Sequence, residues 1–268
     1  MSLNDLGTRF FAYIQLRKLS TVRTGDIVRG LSLTDVQERN LLCRLARQKL
    51  IVRVRRGVYR VPDRLPVGGA WTPGEYSLLS TLMAEHQATW QLCGPNAFNR
   101  YGFSDQIPNR LYVYNNRLSC NRVVGQAETL FIKVVDDRLG DGKSFTVPDG
   151  TQVWFSSRIR TLVDAVYDWD RFGTLPQAYR WIKSELDARP DSAKEIIRLT
   201  LKYGNIGTCR RIGKCLENCG VVVRQTNRLL KALPGTSALV LMVPDQSRRG
   251  SVDRKWGVLD NRKPMEEQ

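Results

Sequence analysis

At 268 residues, with 42% hydrophobic and 25% charged residues, the chain can hold one large domain or two, and its composition excludes an intrinsically disordered polymer. A net charge of +16 and a pI near 9.9 imply an acidic partner, with nucleic acid the first candidate. No run of about eighteen apolar residues occurs, which excludes a membrane-spanning helix, and a single histidine, His86, argues against His-based acid–base or zinc chemistry.

In chain order, residues 3–19 predict an amphipathic helix with Leu6, Phe10, Tyr13 and Ile14 on one face. Asp5 and the lack of a long apolar core argue against a secretory signal, so a cytoplasmic protein is expected. Residues 24–31 predict a short second helix. Thr34 then suits an N-cap, and Gln37 three positions on completes a T-x-x-Q capping box. Val36, Leu41, Leu42, Leu45 and Ala46 follow at helical spacing as the apolar side of a longer third helix. Its other side carries Gln37, Asn40, Arg44, Arg47 and Gln48, residue types that suit major-groove edges and phosphates: Arg pairs with guanine, Asn or Gln with adenine. From residue 51 the pattern changes. Ile51, Val52, Val54, Val58, Tyr59 and Val61 are β formers around Gly57, which can take the positive φ of a tight hairpin. Arg53, Arg55, Arg56 and Arg60 decorate this hairpin, where a backbone phosphate would sit.

Helix, turn, longer helix and hairpin are the order of a winged helix-turn-helix, expected over residues 1–62. Those residues hold 13 Lys+Arg against 4 Asp+Glu, more than half of the chain's charge excess. A clustered basic footprint is what phosphate neutralisation requires. It favours DNA binding through Thr34, Gln37, Asn40, Arg44, Arg47, Arg53, Arg55 and Arg56 over the alternative, a protein-interaction module with a solvated polar face. Within this region, Leu42-Cys43-Arg44-Leu45 followed by residues 49–62 resembles the N-terminal domain of the AbiEi antitoxin family of type IV toxin–antitoxin (abortive infection) systems.

Residues 63–72, punctuated by Pro66 and Gly68-Gly69, read as a linker. A second domain is expected over 73–245, mixed α/β and helical from about residue 175. Thr72 as N-cap and Pro73 as first helical residue would open its first helix, running to 84 or 85. Strands are predicted at 90–95, 110–115, 128–135 and 152–155, a short helix at 96–101, and a helix from Arg158 to Tyr167. Here Gly94-Pro95-Asn96-Ala97 and Arg160-Thr161-Leu162-Val163-Asp164-Ala165 resemble further pieces of the same family. Asp164 reads as an electrostatic partner for Arg158 or Arg160 rather than as a catalytic acid, since no second carboxylate or histidine accompanies it at motif spacing. Helices follow at 176–186, 191–203 and from Gly207 to Asn218. The last carries R-R-I-G-K-C-L-E-x-x-G, similar to the family's R-R-L-G-Y-L-L-E-x-x-G segment but departing from it at Lys214 and Cys215.

Residues 189–231 hold 10 Lys+Arg against 3 Asp+Glu, and Arg210, Arg211 and Lys214 are a candidate second basic face for nucleic acid or an acidic protein, against the plainer reading of a solvated stripe. Cys209, Cys215 and Cys219, spaced C-x5-C-x3-C, lack the tight ligand pairs of structural zinc and read as small apolar residues; no metal and no cofactor is expected. A late strand is predicted at 237–243, and residues 246–268 read as a loosely held polar tail.

Walker A, G-x-G-x-x-G, G-x-S-x-G, H-E-x-x-H and nucleotidyltransferase patterns are all absent. Asp136, Asp137, Asp141 and Lys143 offer a remote nuclease reading, but they fall in a Gly-containing loop where acids are ordinary turn chemistry. The expected protein is a non-enzymatic α+β chain with an N-terminal winged helix-turn-helix followed by a mixed α/β domain with a helical C-terminal part. The resemblance implies a repressor of its own operon that counters a nucleotidyltransferase-like toxin, without requiring a tight complex. The expected partner is double-stranded operator DNA, bound by a chain that is monomeric in solution or cooperative on DNA. A stand-alone regulator with a ligand- or protein-sensing second domain and no toxin is the alternative.

Overall fold

The computed structural model describes residues 3–64, 70–235 and 238–262, with side chains from residue 6 onward. Its N-terminal part runs α1 (Leu3–Leu16), β1 (Thr21–Arg23), α2 (Val28–Leu31), α3 (Asp35–Arg47), β2 (Val52–Arg55) and β3 (Val58–Arg60). Phe10, Phe11 and Ile14 of α1, Leu41, Leu42 and Leu45 of α3, and Val22, Ile51, Tyr59 and Val61 bury together as one core. The predicted second helix is shorter than expected. Residues 24–27 form turns because Glu38, fully buried beneath them, accepts the Gly25 N–H at 2.7 Å and the Ile27 N–H at 3.2 Å. One buried carboxylate thus fixes the corner between α2 and α3.

β1, β3 and β2 form a three-stranded antiparallel sheet in that order. The β2–β3 turn places Gly57 at φ +76°, where a side chain would be strained. Opposite it, β2 is bulged: Arg53 faces Tyr59 and Arg55 faces Val58, leaving Val54 without a partner in the ladder. The bulge turns Val54 inward, and with Val58 it joins a second core, against Leu78, Leu79 and Leu82. The N-terminal part therefore shares a hydrophobic core with the second region of the chain. Residues 65–69 of the expected linker lie outside the described residues. On its far side, the Trp71 N–H is bonded to the Lys49 carbonyl at 2.8 Å.

The second region begins with α4 (Glu75–Glu85), capped at Gly74 rather than at the expected Thr72. Then come β4 (Trp90–Leu92), α5 (Gly94–Arg100), β5 (Arg110–Asn115), β6 (Cys120–Val124), β7 (Ala127–Lys133), β8 (Gly142–Thr146) and β9 (Gln152–Ser156). They build a mixed six-stranded sheet, ordered β6-β7-β5-β4-β9-β8. The two edge strands, β6 and β8, were not expected. Their residues are mostly exposed or half-buried, and they lack the apolar runs that announce central strands. Leu92, Val113, Phe131 and Val153 face α4 and the β2–β3 hairpin, while Cys93, Tyr114 and Ile132 face the helices on the other side.

Those helices are α6 (Arg158–Tyr167), α7 (Trp169–Phe172), α8 (Gln177–Ala188), α9 (Ser192–Tyr203), α10 (Ile206–Asn218) and α11 (Val223–Lys231). They enclose the largest apolar core of the described residues. Where the sheet meets them, Arg160, Asp164 and Ser156 are fully buried. Arg160 Nε donates to both Asp164 oxygens at 2.9 Å, and Arg138 Nη2 donates to one of them at 3.0 Å. Gln91 joins the network through Ser156 at 2.8 Å. Arg158 turns away to Glu185 at 2.8 Å, so of the two arginines proposed as partners of Asp164, Arg160 is the one that pairs with it.

The chain ends in β10 (Val240–Leu241), β11 (Ser251–Asp253) and β12 (Val258–Asp260), where β12 pairs parallel with β10 and antiparallel with β11. The expectation of a loosely held tail from residue 246 is overturned for 251–260. Trp256 is fully buried against α10, its indole N–H donating to Glu217. The molecule is thus a mixed α+β protein.

Candidate nucleic-acid interface

α3 starts as its sequence predicts. Thr34 Oγ1 accepts the Gln37 N–H at 3.2 Å, and Gln37 Oε1 accepts the Thr34 N–H at 2.9 Å, closing the capping box. Both residues are exposed, but these oxygens are engaged in holding the helix end, which leaves the Gln37 amide nitrogen as its outward group. Leu41, Leu42 and Leu45 face the core. Val36, expected among them, is 60% exposed instead, because Glu38 rather than Val36 fills the buried position of the first turn. The outer surface of α3 is therefore a stripe of Val36, Asn40, Cys43 and Arg47. Arg44 and Ala46 are half-buried on its flanks, and Gln48 caps the C-terminal end, exposed.

The hairpin arginines divide into two groups. Arg53 and Arg56 are exposed, with Arg53 Nε reaching only the Arg55 carbonyl at 3.4 Å. Arg55 and Arg60 are drawn inward. Arg55 pairs with Glu85 of α4 at 3.1 Å, and Arg60 Nη1 donates to the Ser20 carbonyl at 3.0 Å. The expectation that Arg55 sits on the outward face of the hairpin is thus corrected. The bulge at Val54 rotates the following residue toward α4, and sequence spacing alone gives no sign of a bulge. Arg23 of β1 also reaches Glu85, at 2.5 Å, so one carboxylate joins two strands of the small sheet to α4.

Burial pushes the Glu85 carboxyl upward, but hydrogen bonds from Arg23 and Arg55 outweigh it, and the group titrates below its ordinary value of 4.5. A carboxylate with a depressed folded-state pKa contributes stability above its unfolded pKa and loses it as pH falls through the folded value. Wild-type protein should therefore melt at higher temperature than a Glu85→Gln variant at pH 7, and the gap should close as the pH is lowered from 4.5 toward 3. Melting curves across that range check this; a gap independent of pH would mean that the ion pairs contribute nothing.

The candidate second basic face is not a surface. Arg210 and Arg211 are buried, with 3% and 8% exposure. Arg210 Nη1 donates to the Ala238 and Gly257 carbonyls, Arg211 Nε to the Leu241 carbonyl at 2.9 Å, and Lys214 pairs with Asp253 at 2.8 Å. Their task is to hold the C-terminal strands on α10, whose carbonyls need donors. The helical flank they share was legible; the segment that covers it was not. Arg189, Lys194, Arg198 and Lys202 pair with acids. Among the described residues of 189–231, Arg224, Arg228 and Lys231 of α11 stay exposed with no acid in salt-bridge range.

Two of the three acids of the remote nuclease reading, Asp136 and Asp141, are held by other side chains. Asp141 accepts from Arg198 at 2.6 Å, Lys202 at 2.7 Å and the Tyr203 hydroxyl at 2.6 Å, and Asp136 accepts from Asn116 at 2.8 Å. Cys209 and Cys215 are buried in the helical core and Cys219 is half-buried. Among the described residues, no group of three or more His, Cys, Asp or Glu side chains is placed to hold a metal ion, and no helix is long and apolar enough to cross a membrane.

The fold is similar to that in the crystal structure of the RV2827C protein from Mycobacterium tuberculosis, with a TM-score of 0.57, over 96% of this chain and 92% of that one. At 14% identity this is a likeness of fold. No family model and no curated protein matches the chain.

Proposed function

We propose that residues 1–62 form a winged helix-turn-helix that binds double-stranded DNA at an operator upstream of the chain's own operon. In this reading the chain is a non-catalytic transcriptional autorepressor. The observation that carries it is the exposure of the outer stripe of α3 together with that of Arg53 and Arg56 on the β2–β3 hairpin. α3 is the recognition helix: Asn40 suits adenine, Arg47 suits guanine or a phosphate, and Val36 is available to a thymine methyl. Arg44 and the Gln37 amide nitrogen flank that stripe. Arg53 and Arg56 supply phosphate contacts that set register without reading sequence.

The antitoxin role rests on the resemblance to the AbiEi family in separated stretches that run in the same order along the chain. With it comes the proposal of a nucleotidyltransferase-like toxin as the functional partner. Co-expression with a neighbouring gene of that class tests it: relief of toxicity supports the role, and unchanged toxicity leaves a regulator without a toxin.

A salt titration of duplex binding separates the hairpin arginines. Each lost phosphate contact lowers the slope of log K against log salt by about 0.9. The Arg53→Ala, Arg56→Ala double variant should therefore lose close to two units at every DNA sequence, whereas Arg55→Ala, whose charge is held by Glu85, should leave the slope near that of wild type. A larger slope change from Arg55→Ala than from the double variant would turn the hairpin around.

A further inference from the structure

The C-terminal strands carry a stretch that the nucleic-acid reading does not use: Arg248-Arg249-Gly250-Ser251-Val252. All five residues are exposed, Val252 at 50%. The stretch leads into β11, an edge strand of the sheet ordered β10-β12-β11. Gly250 is required by its path, since a Cβ there would stand 2.1 Å from the Asp260 carbonyl oxygen. Among the described residues, no acid lies in salt-bridge range of Arg248 or Arg249, whereas Lys255 and Arg262 of the same segment pair with Glu217 and Asp260. Two arginines, three and two positions before an exposed hydroxyl, with an apolar side chain after it, form the pattern that arginine-directed protein kinases read. Acidic groups beside the kinase cleft pair with the guanidinium groups, and an apolar recess takes the following residue. Two serines of the sequence have basic residues at both preceding positions: Ser251, and Ser20 after Arg17-Lys18. Ser20 is half-buried, and its carbonyl accepts the Val61 N–H at 3.1 Å and Arg60 Nη1 at 3.0 Å, which locks its backbone against β3. Of the two, Ser251 is the one presented to a partner.

We propose that Ser251 is a phosphorylation site for an arginine-directed protein serine kinase. Ser251 Oγ attacks the γ-phosphorus of ATP. The new O–P bond forms as the bond from that phosphorus to the β–γ bridging oxygen breaks, ADP leaves, and the hydroxyl proton passes to the carboxylate base of the kinase. The product carries about two added negative charges. In the β11–β12 register Ser251 stands directly opposite Asp260, whose carboxylate Arg262 holds at 2.6 Å. Like charges directly opposite each other destabilise a strand pair. The phosphate therefore loosens a hairpin that carries Trp256, packed on α10, and the Gly257 carbonyl that Arg210 holds. The site does not depend on the nucleic-acid reading.

Incubation of the full chain with the catalytic subunit of cAMP-dependent protein kinase and Mg-ATP, followed by tandem mass spectrometry, tests the proposal. A phosphate on Ser251 is expected. Arg248→Ala and Arg249→Ala should each slow its addition about tenfold, the loss of one charge-assisted pair with the kinase. Ser251→Ala should abolish it. All three side chains are exposed, so the variants keep the fold, which thermal melting verifies. The phosphorylated chain should melt below the unmodified one, by a margin that rising salt narrows. Three results would overturn the proposal: no phosphate on Ser251, a phosphate on Ser20 in its place, or a melting temperature that phosphorylation of Ser251 leaves unchanged.

Discussion

Replacing Trp256 with alanine is expected to destabilise the protein by about 3–5 kcal/mol, the range for removing a large aromatic from a core. The indole is fully buried and packs so closely on α10 that a Cβ on Gly213 would stand 2.0 Å from its ring. Gly213 is therefore a packing requirement inside a helix, and Gly213→Ala should be costly for the same reason, by overpacking instead of by a void. The polar edge of Trp256 donates to Glu217, which Lys255 also holds at 2.9 Å. Urea unfolding reads the loss as a lower midpoint. Because the two substitutions act on one contact, their effects should combine non-additively in a double-variant cycle. A loss under about 1 kcal/mol for Trp256→Ala, the range of surface changes, would restore the reading of a loosely held tail.

Asp164→Ala is expected to be equally damaging, again by about 3–5 kcal/mol, the range for breaking a buried ion pair from one side. It removes the carboxylate that pairs with Arg160 and one acceptor of Arg138, leaving the fully buried Arg160 charge with the Arg138 carbonyl but no counter-charge. The stacking of the Arg160 guanidinium on Tyr203, 3.3 Å from the ring centre, cannot replace a carboxylate. An apolar pair, Asp164→Leu with Arg160→Met, should recover part of the loss, since it leaves one fewer unpaired charge. Chemical unfolding of the single and paired variants checks this. If Asp164→Ala and the pair were equally unstable, packing around the site, not charge, would be its main contribution.

These two cases show where sequence reasoning succeeded and where it failed. The R-T-L-x-D-A stretch was legible as helix and as structural charge pairing, because Arg160 and Asp164 are one helical turn apart. Its second cation, Arg138, comes from a loop distant in sequence and carries no local signal. Thr34 with Gln37 and the glycine of the β2–β3 turn were equally legible, since caps and tight turns depend on a few adjacent residues. Strands β11 and β12 were missed because three-residue strands show no periodicity, and Trp256 sits among charged neighbours that read as solvent-exposed. The same omission misplaced Arg210, Arg211 and Lys214. Helical spacing puts them on one flank, but only the returning C-terminal strands decide that the flank is covered. In the candidate interface, Thr34, Gln37, Asn40 and Arg47 are exposed, Arg44 is half-buried and Arg55 turns inward, the last because a bulge is a tertiary choice made where Val54 finds its core.

The most direct test of operator recognition is binding of the purified chain to its own upstream DNA and to a scrambled duplex of equal length, across a salt series. A preference for the upstream sequence is expected, one that persists at physiological salt and falls when Asn40 or Arg47 is replaced by alanine. Weak binding that is equal on both duplexes and vanishes with salt would contradict the proposed function, and would make the basic charge of residues 1–62 generic.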